Sequence, residues 1–423
     1  MHVVVVGAGV VGVTTAWALR QRGHRVTVVE RLAEAGLETS RANAAQRSYG
    51  VVYPWASAAM VRKALPMLVR QDGALKMALP PSMATLRFLL DTLRFAYAPG
   101  LYGLNRRAMV RLAMHSRECF GQLEDLLDLA FDGDHAGLLH LASSPEALAE
   151  YRATAALLDE LGVANRLLTP AQVREVEPGM TGHGPLHGAL SYDTDGTGDC
   201  HLFTQALARA TRADDVSFRY RTGVRSLVTD ARRVSALALE TEAGERETLD
   251  ADAVVICAGC TSPHLLQGLG LRVPIYPVKG YSLTTEMTDA SRGPRSTVHD
   301  DHFKVVSTRL GNRLRVSGFV ELADFDRAIP ERRLQTLRKS VAARFPGAAD
   351  LSQARPWTGF RPMTPDGPPM LGRGPRDNLF LNTGHGTFGW TLSAGSADLI
   401  ARLIDGEALP LNLDPFRPGR FSE

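Results

Sequence analysis

The first thirty residues join an apolar run, a glycine-rich turn and a second apolar run. Residues 3–6 are all valine, which predicts a strand buried on both faces of a parallel sheet. Residues 10–22 are predicted to form a helix that ends at Gly23, and residues 25–29 are predicted to form a second strand. The chain is therefore expected to open with a strand, a helix and another strand.

The turn between the first strand and the helix carries the chemistry of this unit. Gly7, Gly9 and Gly12 fit G-x-G-x-x-G, in which the glycines make the turn, admit a pyrophosphate and let helix and strand pack closely. The positive N-terminal end of the helix then faces the pyrophosphate. Glu30 ends the second strand and is placed to accept hydrogen bonds from a ribose 2′-hydroxyl. Because this acid would repel a 2′-phosphate, NADP is disfavoured, and FAD and NAD remain.

Helical patterns dominate from residue 51 to roughly residue 149. Apolar residues recur there at helical spacing, with Arg87, Asp91 and Arg94 between them. We interpret this stripe as a core face rather than a membrane or quinone surface, and residues 109–129 in the same way. The stripe consists of Leu86, Leu89, Leu90, Leu93 and Tyr97.

The middle of the chain alternates helices with short strands. Helices are predicted at 146–161 and 202–211, and strands at 217–220, 223–229, 234–241 and 253–257. The next region has strands at 281–285, 303–308 and 313–319 and a helix at 331–344. A mostly antiparallel sheet with a covering helix is typical of a substrate domain.

The last seventy or so residues repeat the opening device. Residues 357–369 are predicted to be a turn-rich loop, 378–382 a strand, 383–390 a glycine-rich turn and 391–405 a helix. The N-terminus of that helix can face a second negative or electron-rich group, and the pyrimidine edge of a flavin fits this role.

Composition narrows the class of protein. With 423 residues and 44% hydrophobic content, two domains are expected. The net charge of +3 comes from scattered arginines, which disfavours nucleic-acid binding and leaves weak attraction to anionic lipid open. The uncharged run 3–19 has no basic n-region and is shorter than the ~20 residues of a membrane span. With no export signal, a cytoplasmic protein is expected.

Two short motifs raise the possibility of metal or redox chemistry. Cys257 and Cys260 form C-x-x-C, but no second pair lies at zinc spacing, and we interpret the motif as a coincidence. His299-Asp-Asp-His302 is interpreted as a polar loop rather than a metal pair, since no further ligands are evident. No metal site is predicted.

The sequence resembles the FAD-dependent D-amino acid oxidase superfamily, and most closely its bacterial D-amino acid dehydrogenases of the small-subunit type. The resemblance covers nearly the whole chain. It is carried by GAGVVGVTTAW, ETSRANAAQ, DGTGDCHLFTQALA, VPIYPVKGYSLT, GFRPMTPDGPPMLGR and NLFLNTGHGTFGWTLSAGSADLI.

The resemblance implies a fold that combines α/β and α+β parts. A Rossmann-like, glutathione-reductase-like FAD-binding domain would be assembled from residues 1–50, 198–272 and 355–423. A substrate-binding domain with a mostly antiparallel sheet plus helices would comprise residues 51–197 and 273–354. No cysteine follows Cys260, so a C-terminal covalent flavin link is absent, and non-covalent FAD is expected.

The implied activity is oxidative deamination of D-amino acids, by hydride transfer from Cα to flavin N5, to 2-oxo acids and ammonia. Electrons would pass to a quinone or another acceptor rather than mainly to oxygen. Oxidation of a secondary amine, such as D-proline, hydroxyproline or an N-methyl amino acid, stays open. A flavin monooxygenase is the alternative of another class, but no second dinucleotide fingerprint is evident. A flavin-binding subunit that only docks a partner is the non-enzymatic alternative.

The substrate site is expected around Arg361, which occupies the position of the substrate carboxylate clamp. A guanidinium suits this role because it pairs both carboxylate oxygens and stays charged when desolvated. Tyr281 is expected to assist the carboxylate or to be a core residue, and Lys279 to lie near the flavin or on an exposed strand. His385 is expected to contact the flavin rather than to act as a general base.

The loop after ETS departs from the family pattern. Ala45 stands where a glycine is usual, and Arg47 introduces a basic residue. Because the loop is expected to border the flavin, Arg47, Tyr49 and Tyr53 could alter substrate choice or acceptor access. Peripheral contact with the inner face of the cell membrane stays open through the tail residues Phe416, Arg417, Arg420 and Phe421, although a disordered or packed terminus is favoured.

The cofactor-binding residues expected from the motifs and from the resemblance lie in six separate segments. They are Gly7, Gly9, Val10, Val11, Gly12, Glu30, Arg31, Thr39, Ser40, Asn43, Ala44, Ala45, Gln46, Val224, Ala258, Gly259, Gly384, His385, Gly386, Thr387, Phe388, Gly389 and Trp390. Arg361, Tyr281, Tyr53 and Lys279 are the expected substrate-binding residues.

Overall fold

The computed structural model describes residues 1–55, 57–62 and 73–422. The helices are α1 Val10–Gln21, α2 Met83–Ala96, α3 Leu101–Leu126, α4 Pro145–Glu160, α5 Pro170–Val176, α6 Cys200–Ala213, α7 Ser262–Leu265, α8 Glu331–Arg344 and α9 Gly389–Asp405. The strands in the first half are β1 His2–Val6, β2 Arg25–Val29, β3 Gln46–Arg47, β4 Leu75–Met77, β5 Leu138–Ala142, β6 Arg166–Leu168, β7 Gly188–Tyr192 and β8 Gly196–Thr197. The strands in the second half are β9 Ser217–Arg219, β10 Thr222–Thr229, β11 Val234–Thr241, β12 Arg246–Asp250, β13 Ala253–Ile256, β14 Tyr276–Glu286, β15 Thr297–Asp300, β16 Val305–Leu310, β17 Arg313–Leu322, β18 Arg355–Met363, β19 Met370–Arg373 and β20 Leu379–Thr383.

A six-stranded sheet in the order β19-β20-β13-β1-β2-β9 forms the first half of the fold. β1 pairs in parallel with both β2 and β13, so the valine run is central and buried on both faces, as its composition predicts. Val3 and Val5 pack in the core shared with α1, α6 and α9. Val4 and Val6 pack on the opposite face, against the three-stranded sheet β10-β11-β12.

A nine-stranded, mostly antiparallel sheet forms the second half. Its path is β18-β14-β17-β16-β15-β5-β7-β6, with β4 paired to β17. Leu334, Leu337 and Val341 of α8 cover one face of this sheet and pack in one core with Leu283 and Val316. The two-sheet α/β and α+β architecture predicted from the sequence is therefore confirmed.

Several element boundaries are confirmed closely, and one prediction is wrong. The helix predicted at 331–344 and the strand predicted at 234–241 are found with those bounds. The predicted loop 357–369 is wrong in its first half, because β18 runs from Arg355 to Met363 and pairs with β14. The mostly helical prediction for 51–149 also missed β4 and β5, and residues 56 and 63–72 within it lie outside the described residues.

The leucine stripe on α2 does not form a core face. The buried residues of α2 are Thr85, Phe88, Asp91, Thr92 and Ala96. Of the predicted core residues, Leu89 is partly buried and packs on the cluster that contains Phe88, whereas the other four are exposed, with Leu90 at 66% and Tyr97 at 58%. Helical spacing was predicted correctly, but the buried face was not.

The chain end packs on the protein. Phe416 and Phe421 are buried, and Arg420 pairs with Asp366 at 2.7 Å. Of the two favoured interpretations of the tail, a packed terminus is therefore the one confirmed. In the part of the chain that the structure describes, no helix is both long enough and apolar enough to cross a bilayer.

Candidate active site

The glycine-rich turn after β1 is closely packed at Gly7 and Gly12, and space is left beside Gly9. A Cβ on Gly7, whose φ is +107°, would lie 2.7 Å from the carbonyl oxygen of Cys257, and a Cβ on Gly12 would lie 1.9 Å from the carbonyl oxygen of Gly7. A Cβ on Gly9 would meet only Ser40 Oγ, at 3.6 Å. Gly7 and Gly12 are therefore required by packing, whereas the space beside Gly9 is kept free.

The N-terminus of α1 offers hydrogen-bond donors at this turn. The first intrahelical bond runs from the Val13 amide to the Gly9 carbonyl at 3.0 Å, so the preceding amides have no acceptor within the helix. Ser40 Oγ accepts from the Val10 amide at 3.0 Å. The amides of Val11 and Gly12 come next in the same first turn of the helix and can meet an anion there.

Glu30 is held against the same turn. One carboxylate oxygen accepts from the Ala8 amide at 2.7 Å, and the other accepts from the Leu32 amide at 2.9 Å. Each oxygen can accept a further bond. The carboxylate is thus oriented beside the glycine turn with capacity left for ribose hydroxyls.

A second helix N-terminus lies next to the first. Thr14 Oγ1 on α1 donates to the carbonyl of Ser393 on α9 at 3.2 Å, and a Cβ on Gly389 would lie 4.0 Å from Val11 Cγ2. In the turn before α9, Gly384 and Gly386 have φ of +74° and +58°, in the left-handed region that favours glycine. The sequence pattern of a repeated strand, turn and helix start therefore corresponds to two adjacent helix ends.

Residues 43–50, which we call the 43–50 segment, are held by the nine-stranded sheet and by the two-stranded β3-β8 ladder. Thr308 Oγ1 donates to the carbonyl of Ala44 at 3.0 Å, and Asn43 Oδ1 accepts from the amide of Ala45 at 2.9 Å. Gln46 pairs with Thr197 in the β3-β8 ladder. Ala45 adopts φ +62° and is buried, so the conformation is the one a glycine would favour.

Arg47 does not face the predicted substrate site. Its side chain is 1% exposed and forms an ion pair with Glu124. The guanidinium carbon lies 5.4 Å from the ring centroids of Phe120 and Phe131, and 5.8 Å from the Trp390 ring. The expectation that Arg47 directly alters substrate choice is therefore wrong, because the arginine is enclosed in an aromatic core.

Tyr49 is buried and is held through its backbone. The amides of Tyr49 and Gly50 donate to one oxygen of Asp195, at 2.9 and 3.1 Å. Burial raises the pKa of Asp195 to about 8, although both amides oppose this rise. Asp195, the first residue of the DGTGDC motif, thus anchors the end of the 43–50 segment.

Arg361 lies on β18 beside the glycine-rich turn of α9. Its Nη1 donates to the carbonyls of Phe319 and Lys279, at 3.0 and 3.3 Å. No carboxylate among residues 1–55, 57–62 and 73–422 forms an ion pair with it. Burial lowers the pKa of Arg361 to about 10, so the guanidinium keeps its charge at neutral pH. The amide of Gly386 donates to the carbonyl of Pro362 at 2.9 Å and ties this strand to the turn.

Tyr53 joins Arg361 to the same turn. Its ring packs edge-on against Phe388, with centroids 5.6 Å apart. Burial raises the pKa of Tyr53, and the nearby Arg361 guanidinium opposes this rise. The structure therefore brings Arg361, Tyr53 and the GHGTFGW turn together.

Gly280 and Phe319 support Arg361, and the sequence analysis did not identify either. A Cβ on Gly280 would lie 2.7 Å from both terminal nitrogens of Arg361, so only glycine lets the guanidinium lie over β14. The β14-β17 register shifts between Lys279 and Tyr281, and Phe319 opposite has φ +67°. This bulge accompanies the bond from Arg361 to the Phe319 carbonyl. A glycine within a strand pattern was the available signal.

Tyr281 and Lys279 lie on the other face of β14. Arg361 pairs in register with Val278, and alternate residues of a strand face opposite sides. Tyr281 donates to Glu321 at 2.7 Å, and buried Lys279 pairs with Asp326 at 2.8 Å. The expectation that these two side chains bind substrate beside Arg361 is corrected, since the strand alternation turns them away.

His385 is buried next to α9. Its Nε2 lies 3.2 Å from Ser396 Oγ, and burial lowers its pKa to about 3. A side chain that stays neutral and faces the helix is poorly suited to act as a base. This position of His385 fits a turn in which residues 384–386 contribute their backbone groups rather than the imidazole.

The other predicted cofactor residues border the same edge of the six-stranded sheet. The Thr222 amide donates to the Glu30 carbonyl at 2.9 Å, which places β10 and Val224 near that acid. Thr39 Oγ1 donates to the Phe360 carbonyl at 2.5 Å. Arg31 is exposed and pairs with Glu38 at 2.7 Å. Ala258 and Gly259 follow β13, with Gly259 at φ +53°.

The C-x-x-C and HDDH motifs do not gather ligands at one point. Cys257 Sγ approaches Thr15 Oγ1, whereas Cys260 Sγ approaches the Phe360 carbonyl. In the second motif, Asp300 pairs with Arg344 at 2.6 Å and Asp301 pairs with Lys304. Each acid is therefore already neutralised by a cation.

Comparison with known proteins identifies the family. Residues 2–403 match the DAO family, described as FAD dependent oxidoreductase. The chain belongs to this family. It is 46% identical over 409 residues to a D-amino acid dehydrogenase of Cereibacter sphaeroides, covering 96% of this chain and 92% of that protein. It is 41% identical over 421 residues to a D-amino acid dehydrogenase of Vibrio vulnificus, covering 99% of both chains.

Solved structures of DAO-family type share the fold. Glycine oxidase from Geobacillus kaustophilus superposes with a TM-score of 0.77 at 25% identity, covering 99% of this chain and 98% of that one. L-proline dehydrogenase from P. horikoshii gives a TM-score of 0.74 at 19% identity, covering 99% and 97%. The second likeness concerns the fold alone.

The residues of this DAO-family chain fit FAD. The open space beside Gly9 and the donors of Val11 and Gly12 suit a pyrophosphate, and Glu30 retains acceptor capacity for a ribose. The N-terminus of α9, which lies beside the N-terminus of α1, suits a second electron-rich group. The enzyme is an FAD-dependent oxidoreductase.

Proposed function

We propose that this enzyme is a D-amino acid dehydrogenase that converts D-amino acids to 2-oxo acids and ammonia. The observation that carries the proposal is the desolvated, partly exposed Arg361 side chain, which keeps its charge and has no acidic partner among the described residues. A desolvated cation without a counter-ion is costly, so a carboxylate of the substrate is a fitting partner. The dehydrogenase relatives support the same substrate class.

Each residue of the site has a distinct part in this proposal. Arg361 binds the substrate carboxylate, and its own bonds to two carbonyls fix the direction of the guanidinium. Tyr53 and Phe388 form an aromatic wall that excludes water beside it. Bound FAD supplies the chemistry of hydride acceptance. The protein mainly positions the substrate, because the buried His385 is a weak base.

The proposed division of the chain follows the two sheets. Residues 1–50, 198–272 and 364–423 would bind FAD non-covalently, and residues 51–197 and 273–363 would bind the substrate. β18 lies at the edge of the nine-stranded sheet, so we now assign Arg355–Met363 to the substrate-binding part. This assignment places Arg361 on the substrate side of the cofactor.

Anaerobic reduction tests the proposed activity. Purified holoenzyme is mixed with D-amino acids, L-amino acids, D-proline, hydroxyproline and N-methyl amino acids while flavin absorbance is followed. We expect bleaching by primary D-amino acids and not by their L-enantiomers. Bleaching only by the secondary amines would replace the proposal with the secondary-amine activity. Reduction by NADPH alone would indicate a monooxygenase.

We further propose that a quinone accepts the electrons. We also propose that the protein is cytoplasmic and contacts the inner face of the cell membrane peripherally. The exposed side chains of α2 support this contact. Asp91, the acid of this helix, is buried and paired with Arg272 at 2.6 Å. The exposed charged residues of the helix are therefore Arg87 and Arg94, which flank the apolar face. This combination suits a membrane surface with anionic lipid. The apolar face consists of Met83, Leu86, Leu90, Leu93 and Tyr97, which are all exposed.

Vesicle sedimentation measures that contact. We expect the wild type to co-sediment with phosphatidylglycerol-containing vesicles, and a Leu86→Glu, Leu90→Glu double variant to partition at least about tenfold more weakly, because each leucine loses apolar burial. Leu167→Glu replaces an exposed leucine on β6 and is the matched control. Equal partition of the double variant and the wild type would contradict α2 as the contact.

A further inference from the structure

His140 and His299 stand side by side on the nine-stranded sheet. β5 and β15 are parallel, and the two histidines are direct partners in their register. Their ring centroids are 4.2 Å apart with an interplanar angle of 74°. The pair is formed by residues from distant parts of the chain, and the mechanism described above does not use it.

The pair lies between the 43–50 segment and two tyrosines. The side-chain amide of Gln46 is in hydrogen-bond contact with Nε2 of His299. Tyr151 stacks on His140 with centroids 5.5 Å apart, and Tyr192 approaches it edge-on at 5.7 Å. Gln46 therefore links the histidine pair directly to residues 43–50, which we expect to border the cofactor.

The histidines are also close to the residues around Arg361. Tyr53, which feels the charge of Arg361, packs in one cluster with Tyr151 and Tyr192. Tyr53 is thus located between the guanidinium and the aromatic neighbours of His140. A substrate carboxylate at Arg361 would leave its side chain free to extend towards the pair.

Three of the four ring nitrogens of the pair have no hydrogen-bond partner among the described residues, and the fourth, His299 Nε2, contacts Gln46. Burial lowers the pKa of His140 to about 4, opposed by Asp301, and burial with the neighbouring His140 lowers the pKa of His299 well below its usual value. In the described part of the chain, no hydrogen bond involves the His140 ring or Nδ1 of His299. Both rings nevertheless keep some accessible surface. Neutral imidazoles can donate and accept.

We propose that His140 and His299 form the subsite for the substrate side chain, where they favour uncharged side chains that form hydrogen bonds. This inference rests on the proposed D-amino acid activity and adds the two residues that rank its substrates. A site built to hydrogen-bond a polar group discriminates against an analogue that lacks the group. A cationic side chain would find no carboxylate in contact with the two rings, since Asp301 is paired with Lys304.

The test compares isosteric substrates. The ratios of kcat/KM for D-threonine over D-valine and for D-asparagine over D-leucine are measured with wild-type holoenzyme, together with kcat for D-alanine. We expect the wild type to favour the polar member of each pair. His140→Phe keeps a ring but removes both nitrogens, and it should lower these ratios about three- to tenfold, as expected for one neutral hydrogen bond. D-alanine serves as the reference substrate, because its methyl group is too short to form a hydrogen bond with the pair.

His299→Phe is the second variant, and the flavin spectrum shows whether loss of its contact with Gln46 disturbs the cofactor. His302→Phe changes a histidine that packs on Phe303 and serves as the matched control. Wild-type ratios near one, or unchanged ratios in His140→Phe, would overturn the subsite. If no D-amino acid, including D-alanine, reduces the wild-type flavin, the proposed activity itself fails, and the two failures are thereby distinguished.

Discussion

Arg361→Ala is expected to lower kcat/KM for D-amino acids by about two to four orders of magnitude, while the flavin spectrum stays unchanged. Removing one partner of a buried ion pair costs about 3–5 kcal/mol, which corresponds to that loss of rate. The structure gives this arginine no acidic partner among the described residues, so the loss should fall on the substrate rather than on folding. Stopped-flow flavin reduction and steady-state kinetics measure it.

The conservative variant separates charge from geometry. Arg361→Lys keeps a positive charge but loses the planar pair of donors, and it should recover about tenfold to a hundredfold of the lost activity. Arg355→Ala removes an exposed arginine at the start of the same strand and should leave kcat/KM within about twofold, as surface substitutions generally do. A decrease of less than about tenfold for Arg361→Ala would remove this residue from the substrate site.

The parts of this fold that could be predicted are those encoded by local patterns. The strand, glycine turn and helix at the N-terminus follow from four valines and three glycines at fixed spacing, and α8 follows from its periodicity. β18 was missed because Pro356 and Pro362 indicate turns. In the structure β18 lies at the edge of the nine-stranded sheet, where it pairs with β14, and an edge strand can accommodate residues without a backbone N–H.

Other errors concern which face of an element meets the core. The α2 pattern specifies a helix with apolar residues at regular spacing, but an equally regular set that includes Thr85 and Thr92 is buried instead. Periodicity alone cannot choose between these faces, because the choice depends on what the rest of the chain brings to the helix. The same reason explains why Tyr281 was assigned to the substrate site, since its side of β14 was unknown before the β14-β18 register.

The substrate side of the site was the least predictable part. Arg361 could be predicted from the motif, but its support by Gly280 and Phe319 depends on a bulge between β14 and β17. The His140–His299 pair depends on the parallel register of β5 and β15. Contacts between strands that are distant in sequence have no local signature. The cofactor side, in contrast, includes the strand, glycine turn and helix of residues 2–21, whose pattern is local.

Gly9→Ala is expected to give a folded protein that binds FAD at least about a hundredfold more weakly. Gly9 has an ordinary φ of −69°, and its added methyl group would meet Ser40 Oγ at a normal contact distance of 3.6 Å. The methyl group would instead occupy the space a pyrophosphate needs beside the Val11 and Gly12 amides. Losing two charge-assisted hydrogen bonds of about 1.5–3 kcal/mol each gives at least the stated loss of affinity.

Thermal unfolding of the apoprotein with and without added FAD measures both parts of the expectation. The free energy of unfolding of apo Gly9→Ala should lie within about 1 kcal/mol of the wild type, because its backbone conformation suits alanine. The wild type should gain stability with FAD by mass action, and the variant should gain little at the same concentration.

Two glycine variants define the contrast. Gly12→Ala places a Cβ 1.9 Å from the Gly7 carbonyl, so it should impair folding whether or not FAD is present. Gly103→Ala, inside α3 with nothing within 4 Å of the added atom, should bind FAD as the wild type does. Wild-type FAD affinity in Gly9→Ala would show that the pyrophosphate lies elsewhere. A fold lost in Gly9→Ala would instead mean that the space beside Gly9 is required by the protein itself, so the three variants together separate cofactor contact from packing.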